Sequence, residues 1–69
     1  MTKYLFRLCA PNGEQFEAKV ECDELDFDNS WWCRAYRYRQ LTPTEGEEHR
    51  RQLIYAVPSE HLLWLEIVE

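Results

Sequence analysis

Lys3-Tyr4-Leu5-Phe6-Arg7-Leu8, Pro11-Asn12-Gly13 and Gln15-Phe16-Glu17-Ala18-Lys19-Val20-Glu21-Cys22 follow one another near the start of the chain. In the first run Tyr4, Phe6 and Leu8 alternate with Lys3, Leu5 and Arg7. In the last, Phe16, Ala18, Val20 and Cys22 alternate with Gln15, Glu17, Lys19 and Glu21. Alternation with period two marks half-buried strands, and the turn residues between them predict a hairpin. A two-residue Asn-Gly turn would set Leu8 opposite Glu17 and Phe6 opposite Lys19, mixing the two faces. A three-residue loop, with Pro11 first and Gly13 left-handed as a bulge, sets Leu8 opposite Phe16, Phe6 opposite Ala18 and Tyr4 opposite Val20. It also brings Arg7 opposite Glu17 and Lys3 opposite Glu21, pairs worth roughly 0.2–1 kcal/mol each. Apolar and charged patterns thus select the same register.

Beyond the hairpin, residues 23–30 read as an acidic connector anchored by Leu25 and Phe27, with room for one helical turn. Trp31 to Leu41 is rich in strand formers, whereas residues 42–48 hold Pro43, Gly46 and three acids and read as a solvated loop. Leu53 to Val57 predicts a fourth strand, Pro58-Ser59-Glu60 a tight turn or 3₁₀ segment, and Leu62 to Val68 a fifth strand. The expectation is a single all-β domain over residues 1–69: a five-stranded antiparallel curled sheet or small barrel with at most one short helical turn. Tyr55-Ala56-Val57-Pro58-Ser59-Glu60-His61-Leu62 resembles the ending of SH3-like and Sm-like barrels, where a strand, a Pro-containing single turn and a last strand close the structure. The resemblance implies architecture alone. The positions with which SH3 domains grip Pro-rich ligands, and the Sm RNA-binding motif, have no counterparts here.

A chain of 69 residues buries only ~60% of its unfolded surface, so its core is thin and large enzyme architectures are excluded. Aromatics at 14% and hydrophobic residues at 45% place it among folding sequences despite 30% charged residues. The net charge of −5 excludes a polycation that wraps nucleic acid. There is no apolar run long enough for a membrane span or secretory signal, and the three cysteines, Cys9, Cys22 and Cys33, are odd in number and unevenly spaced. Reduced thiols in the cytoplasm are expected.

The charge is unevenly placed. Residues 1–29 carry three basic and seven acidic side chains, residues 30–44 three basic and none acidic, and residues 45–69 two basic and six acidic. The basic part is Trp31-Trp32-Cys33-Arg34-Ala35-Tyr36-Arg37-Tyr38-Arg39, four aromatics interleaved with three arginines. Such a strip serves protein hot spots and single-stranded nucleic-acid sites alike. It also fits a central strand whose arginines pair with neighbouring carboxylates. Alternation breaks near Ala35, so either a bulge switches faces or Trp32, Arg34, Tyr36 and Tyr38 form an exposed ridge.

Glu21, Asp23, Glu24, Asp26 and Asp28 read as a solvated run or as an electrostatic patch that could occupy a partner's basic groove. A calcium EF-hand is excluded, because Trp31 stands where that loop needs Gly and no Glu closes it. His49 and His61 with three separated thiols lack metal-ligand spacing, so no metal or cofactor is expected. Cys22 and Cys33 follow inward-facing patterns, which argues against nucleophilic catalysis. Leu62-Leu63-Trp64-Leu65-Glu66-Ile67-Val68 is apolar on both faces. It predicts either a strand through the barrel centre with Trp64 as a plug, or a homodimer contact through Leu62, Trp64 and Val68.

The functional expectation is a non-enzymatic protein-binding module, an acidic inhibitor or adaptor of the compact kind that phages and mobile elements encode. Its expected contacts with a larger protein are Trp32, Arg34, Tyr36 and Tyr38, with Asp23, Glu24, Asp26 and Asp28 as a second patch. The alternative is single-stranded nucleic-acid binding through the Trp31 to Arg39 strip.

Overall fold

The computed structural model describes residues 1–28 and 31–68, apart from the side chain of Asp28. Among these residues there are six strands: β1 (Thr2–Cys9), β2 (Gln15–Cys22), β3 (Glu24–Asp28), β4 (Trp32–Tyr38), β5 (Arg51–Pro58) and β6 (Leu62–Ile67). Single 3₁₀ turns lie at Glu47–His49 and Ser59–His61. The strands form two antiparallel sheets, ordered β2-β1-β6 and β3-β4-β5.

The hairpin has the register that the apolar and charge patterns select, with Leu8 opposite Phe16, Phe6 opposite Ala18 and Tyr4 opposite Val20. Gly13 takes φ +89° and donates to the Ala10 carbonyl at 2.9 Å, while Ala10 donates to Glu14 at 2.7 Å. A positive φ at this bulge is what glycine supplies without a Cβ penalty. The Asn12 side chain accepts from the Glu14 amide at 3.0 Å and braces the loop. Arg7–Glu17 and Lys3–Glu21 approach to 3.8 and 3.9 Å.

Phe6, Leu8, Val20 and Cys22 from the first sheet meet Cys33, Ala35 and Val57 from the second to form the core. Phe6 is fully buried and packs edge-on against Tyr55, with ring centroids 5.5 Å apart. Burial pushes the Cys22 and Cys33 thiols above their usual range, since a thiolate there would lose its water.

Four expectations are corrected. Among the described residues there are six strands, not five, because the stretch read as an acidic connector forms β3. Aspartate is poor in strands, but Leu25 and Phe27 alternate with Glu24 and Asp26, and that alternation prevails once β4 offers a partner. The two sheets do not join as a closed barrel, and beside the 3₁₀ turn expected near Pro58-Ser59-Glu60 a second one lies at Glu47–His49, at the end of the stretch read as a solvated loop. Lastly, β6 pairs only with β1 among the described residues and forms an edge; Trp64 points outward instead of plugging a barrel. The strand, 3₁₀ turn and last strand are present as expected, with His61 Nδ1 donating to the Cys9 carbonyl at 2.8 Å and tying the turn to β1.

Candidate partner-binding surface

β4 is the central strand of its sheet. Cys33 and Ala35 face the core, so Trp32, Arg34, Tyr36 and Tyr38 must share the opposite face. Of the two readings of the broken alternation, the ridge is the one present: β4 keeps its faces throughout. A bulge is present, but it lies in β5, where Ile54 is the extra residue between the Ala35 and Tyr36 partners, and it leaves the four side chains of β4 aligned as a ridge. Trp32 is 41% and Tyr38 49% exposed, large values for aromatics in the middle of a sheet.

The register then supplies their neighbours. Tyr36 lies opposite Glu24 on one side and Leu53 on the other; Arg34 lies opposite Asp26 and Ala56; Tyr38 lies opposite Arg51. The Arg51 guanidinium is 3.9 Å from the Tyr36 ring centroid, and its Nη2 is 2.9 Å from Glu24 and 3.6 Å from Asp26. The Tyr38 hydroxyl donates to Glu24 at 2.6 Å, and the Tyr38 amide donates to the Asp23 carboxylate at 2.7 Å. Because ionisation would break the bond to Glu24, the Tyr38 phenol is pushed above its usual value. Arg34 lies 6.0 Å from the Trp32 ring.

The acidic patch and the aromatic ridge, expected as separate surfaces, are therefore one. Asp23, Glu24 and Asp26 border Tyr36, Tyr38 and Arg51. Asp28 is opposite Trp32 in register; its side chain, named as a contact, lies outside the described residues. The other arginines of the strip turn away from the ridge. Arg37 continues the inward face past the end of the core, and its Nε donates to the Glu21 carbonyl at 3.0 Å. Arg39 forms a two-pronged pair with Glu45, and with the Thr42 amide this holds the Glu45 carboxyl at a pKa of about 2. The loop over residues 42–48 is thereby tied to the end of the ridge strand.

At the far end of the ridge, Trp31, Trp32, Pro58, Ser59 and Glu60 line an open groove of about 540 Å³. Trp32 and Pro58 are register partners, and the Ser59 amide donates to the Trp31 carbonyl at 2.9 Å. Trp31, 75% exposed, forms one wall.

Arg51, Leu53 and Pro58 are the surface residues that sequence reasoning missed. Their signal is the register of β5 against β4, which a bulge conceals from simple alternation. Among the proposed dimer contacts, Leu62 packs against the core of its own chain, Val68 is half-buried and Trp64 is exposed. Among the described residues no group of three or more His, Cys, Asp or Glu side chains could hold a metal ion, and no helix is long and apolar enough to cross a membrane.

No protein-family model, curated protein or solved structure matches this chain. The functional reading rests on the surface itself.

Proposed function

We propose that this chain is a small protein-binding module, an acidic inhibitor or adaptor, and that the outer face of the β3-β4-β5 sheet with the adjoining Trp31–Trp32 groove is its contact surface. The observation that carries the reading is an exposed aromatic ridge ordered by charged neighbours, with Arg51 against Tyr36, Glu24 and Asp26 and with Tyr38 bonded to Glu24. Aromatic side chains supply large contact area at low entropic cost, and less is lost on binding when they are already held. Contiguous apolar surface rimmed by polar groups marks interaction sites. The finer reading of the fold, an open variant of the SH3-like barrel order, is supported by the Ser59–His61 turn and the β1–β6 pairing. The acidic surroundings of the ridge suit a partner with a basic rim and raise its association rate.

The competing reading, single-stranded nucleic acid on the same ridge, is disfavoured by local charge. Arg34 and Arg51 share the face with Asp23, Glu24 and Asp26, so a phosphate approaching the aromatics meets three carboxylates for two cations. The test uses the protein as bait in its source cells, beside a folded Trp32→Ala/Tyr38→Ala variant. A protein captured by the first and lost from the second supports the proposal. Retention of mixed-sequence oligonucleotides on a filter, with a steep salt slope, would transfer the site to nucleic acid.

A further inference from the structure

The four edge strands of the two sheets differ in how they discourage pairing with another chain. β2 carries Glu17, Lys19 and Glu21; β3 has only five residues and includes Glu24, Asp26 and Asp28; β5 carries Arg51 and ends in Pro58. Charges, shortness and proline are the usual means of blocking an edge. β6 reads Leu62-Leu63-Trp64-Leu65-Glu66-Ile67, with one charge and no proline. Its register with β1 shifts near Leu62 and Leu63 and is regular from Trp64 to Ile67.

The Val68 amide donates to the Lys3 carbonyl at 2.9 Å. In an antiparallel ladder the bonded pairs alternate, so Glu66 and Trp64 also turn their peptide groups toward β1, while Leu65 and Ile67 turn theirs away. Among the described residues no strand receives them. Leu63, Trp64 and Ile67 stand 48%, 57% and 60% exposed along the same edge.

We infer that the β6 edge pairs with the β6 edge of a second copy of this chain, antiparallel and about a two-fold axis at Leu65. This centre gives the longest overlap with Leu65 bonding to its own equivalent. It sets Leu63 opposite Ile67 of the second copy and Trp64 opposite Glu66 of the second copy, so two exposed apolar side chains cover each other. The glutamates do not face one another. Across the outer face one row of the joined sheet reads Glu17, Arg7, Trp64, then Glu66, Leu5 and Lys19 of the second copy. No like charges are adjacent in it, which is the self-complementarity an isologous contact requires. The pairing uses no residue of the ridge and does not rest on the proposed function.

Sedimentation over a ~100-fold concentration range tests it, with the mass expected to rise from one toward two copies. Leu63→Lys/Ile67→Lys places like charges opposite each other at exposed positions and is expected to give a folded monomer. Leu63→Glu/Ile67→Glu is expected to do the same. An equimolar mixture of the two variants restores a dimer. In the wild type, the Leu65 and Ile67 amides should exchange more slowly as concentration rises, while those of Trp64 and Glu66 stay protected throughout. A wild type that remains monomeric over the whole range overturns the inference. So does a dimer that survives both variants, or a mixture of them that stays monomeric.

Discussion

Replacing Arg51 by alanine should cost the protein about 1–2 kcal/mol, although nearly half of that side chain's surface is open to water. The guanidinium makes a cation–π contact at 3.9 Å from the Tyr36 centroid, worth about 0.5–1 kcal/mol at an exposed site. Its ion pairs with Glu24 and Asp26 add about 0.2–1 kcal/mol each at the surface. The three share one group, so their sum overstates the loss. At ~2 cal/mol/K per residue, a chain of this size has an unfolding entropy near ~0.15 kcal/mol/K, so the midpoint should fall by roughly 7–14 °C. Thermal and urea denaturation read the change directly. Arg51→Lys should recover only part of it, because an ammonium keeps the charge but loses the planar stack. In ~1 M salt the difference between wild type and variant should shrink toward the cation–π part. A variant within ~0.3 kcal/mol of wild type would refute the view that Arg51 orders the ridge.

Gly13→Ala forces a side chain onto φ +89° with no neighbour within 4 Å, so backbone strain alone acts; denaturation should show a loss of roughly 1–2 kcal/mol, and Gly13→Asn a smaller one. Glu45 titrates at about 2 because Arg39 and Thr42 stabilise its carboxylate. A depressed carboxyl contributes stability above the unfolded carboxylate range and loses it as pH falls through about 2. Carbon-detected NMR titration of Arg39→Gln should therefore show Glu45 returning toward the ordinary carboxylate range. The Tyr38 phenol has the opposite sign: its bond to Glu24 is intact below the usual tyrosine value and is lost as pH rises through the raised one, which absorbance at alkaline pH would follow and Glu24→Gln should diminish. A thiol reagent should modify half-buried Cys9 in the native protein, while Cys22 and Cys33 should react only on unfolding.

Legibility varied with how local the signals were. The β1–β2 hairpin could be read to the residue, because apolar and charge alternation constrain the same register and Gly13 marks the bulge. The turn before β6 was plain in Pro58-Ser59-Glu60 to within one residue, the 3₁₀ segment running Ser59–His61. β3 was obscured by its aspartates, which are unfavourable in strands until β4 supplies Arg34 and β5 supplies Arg51 as neighbours. The ridge was legible on β4 but not its other half, since Arg51 reaches Tyr36 only through a register that shifts at Ile54. Closure into a barrel could not be decided from strand content, because it depends on the pairing of β6, and among the described residues β6 pairs with β1 alone.

The contact surface itself is tested most directly by the affinity of the captured partner for wild type and for Trp32→Ala/Tyr38→Ala, measured by titration calorimetry on variants with native circular dichroism. Truncating hot-spot aromatics costs about 2 kcal/mol or more, so the double variant should bind at least ~30-fold more weakly. A folded double variant that binds the partner with unchanged affinity would contradict the assignment of the β3-β4-β5 face.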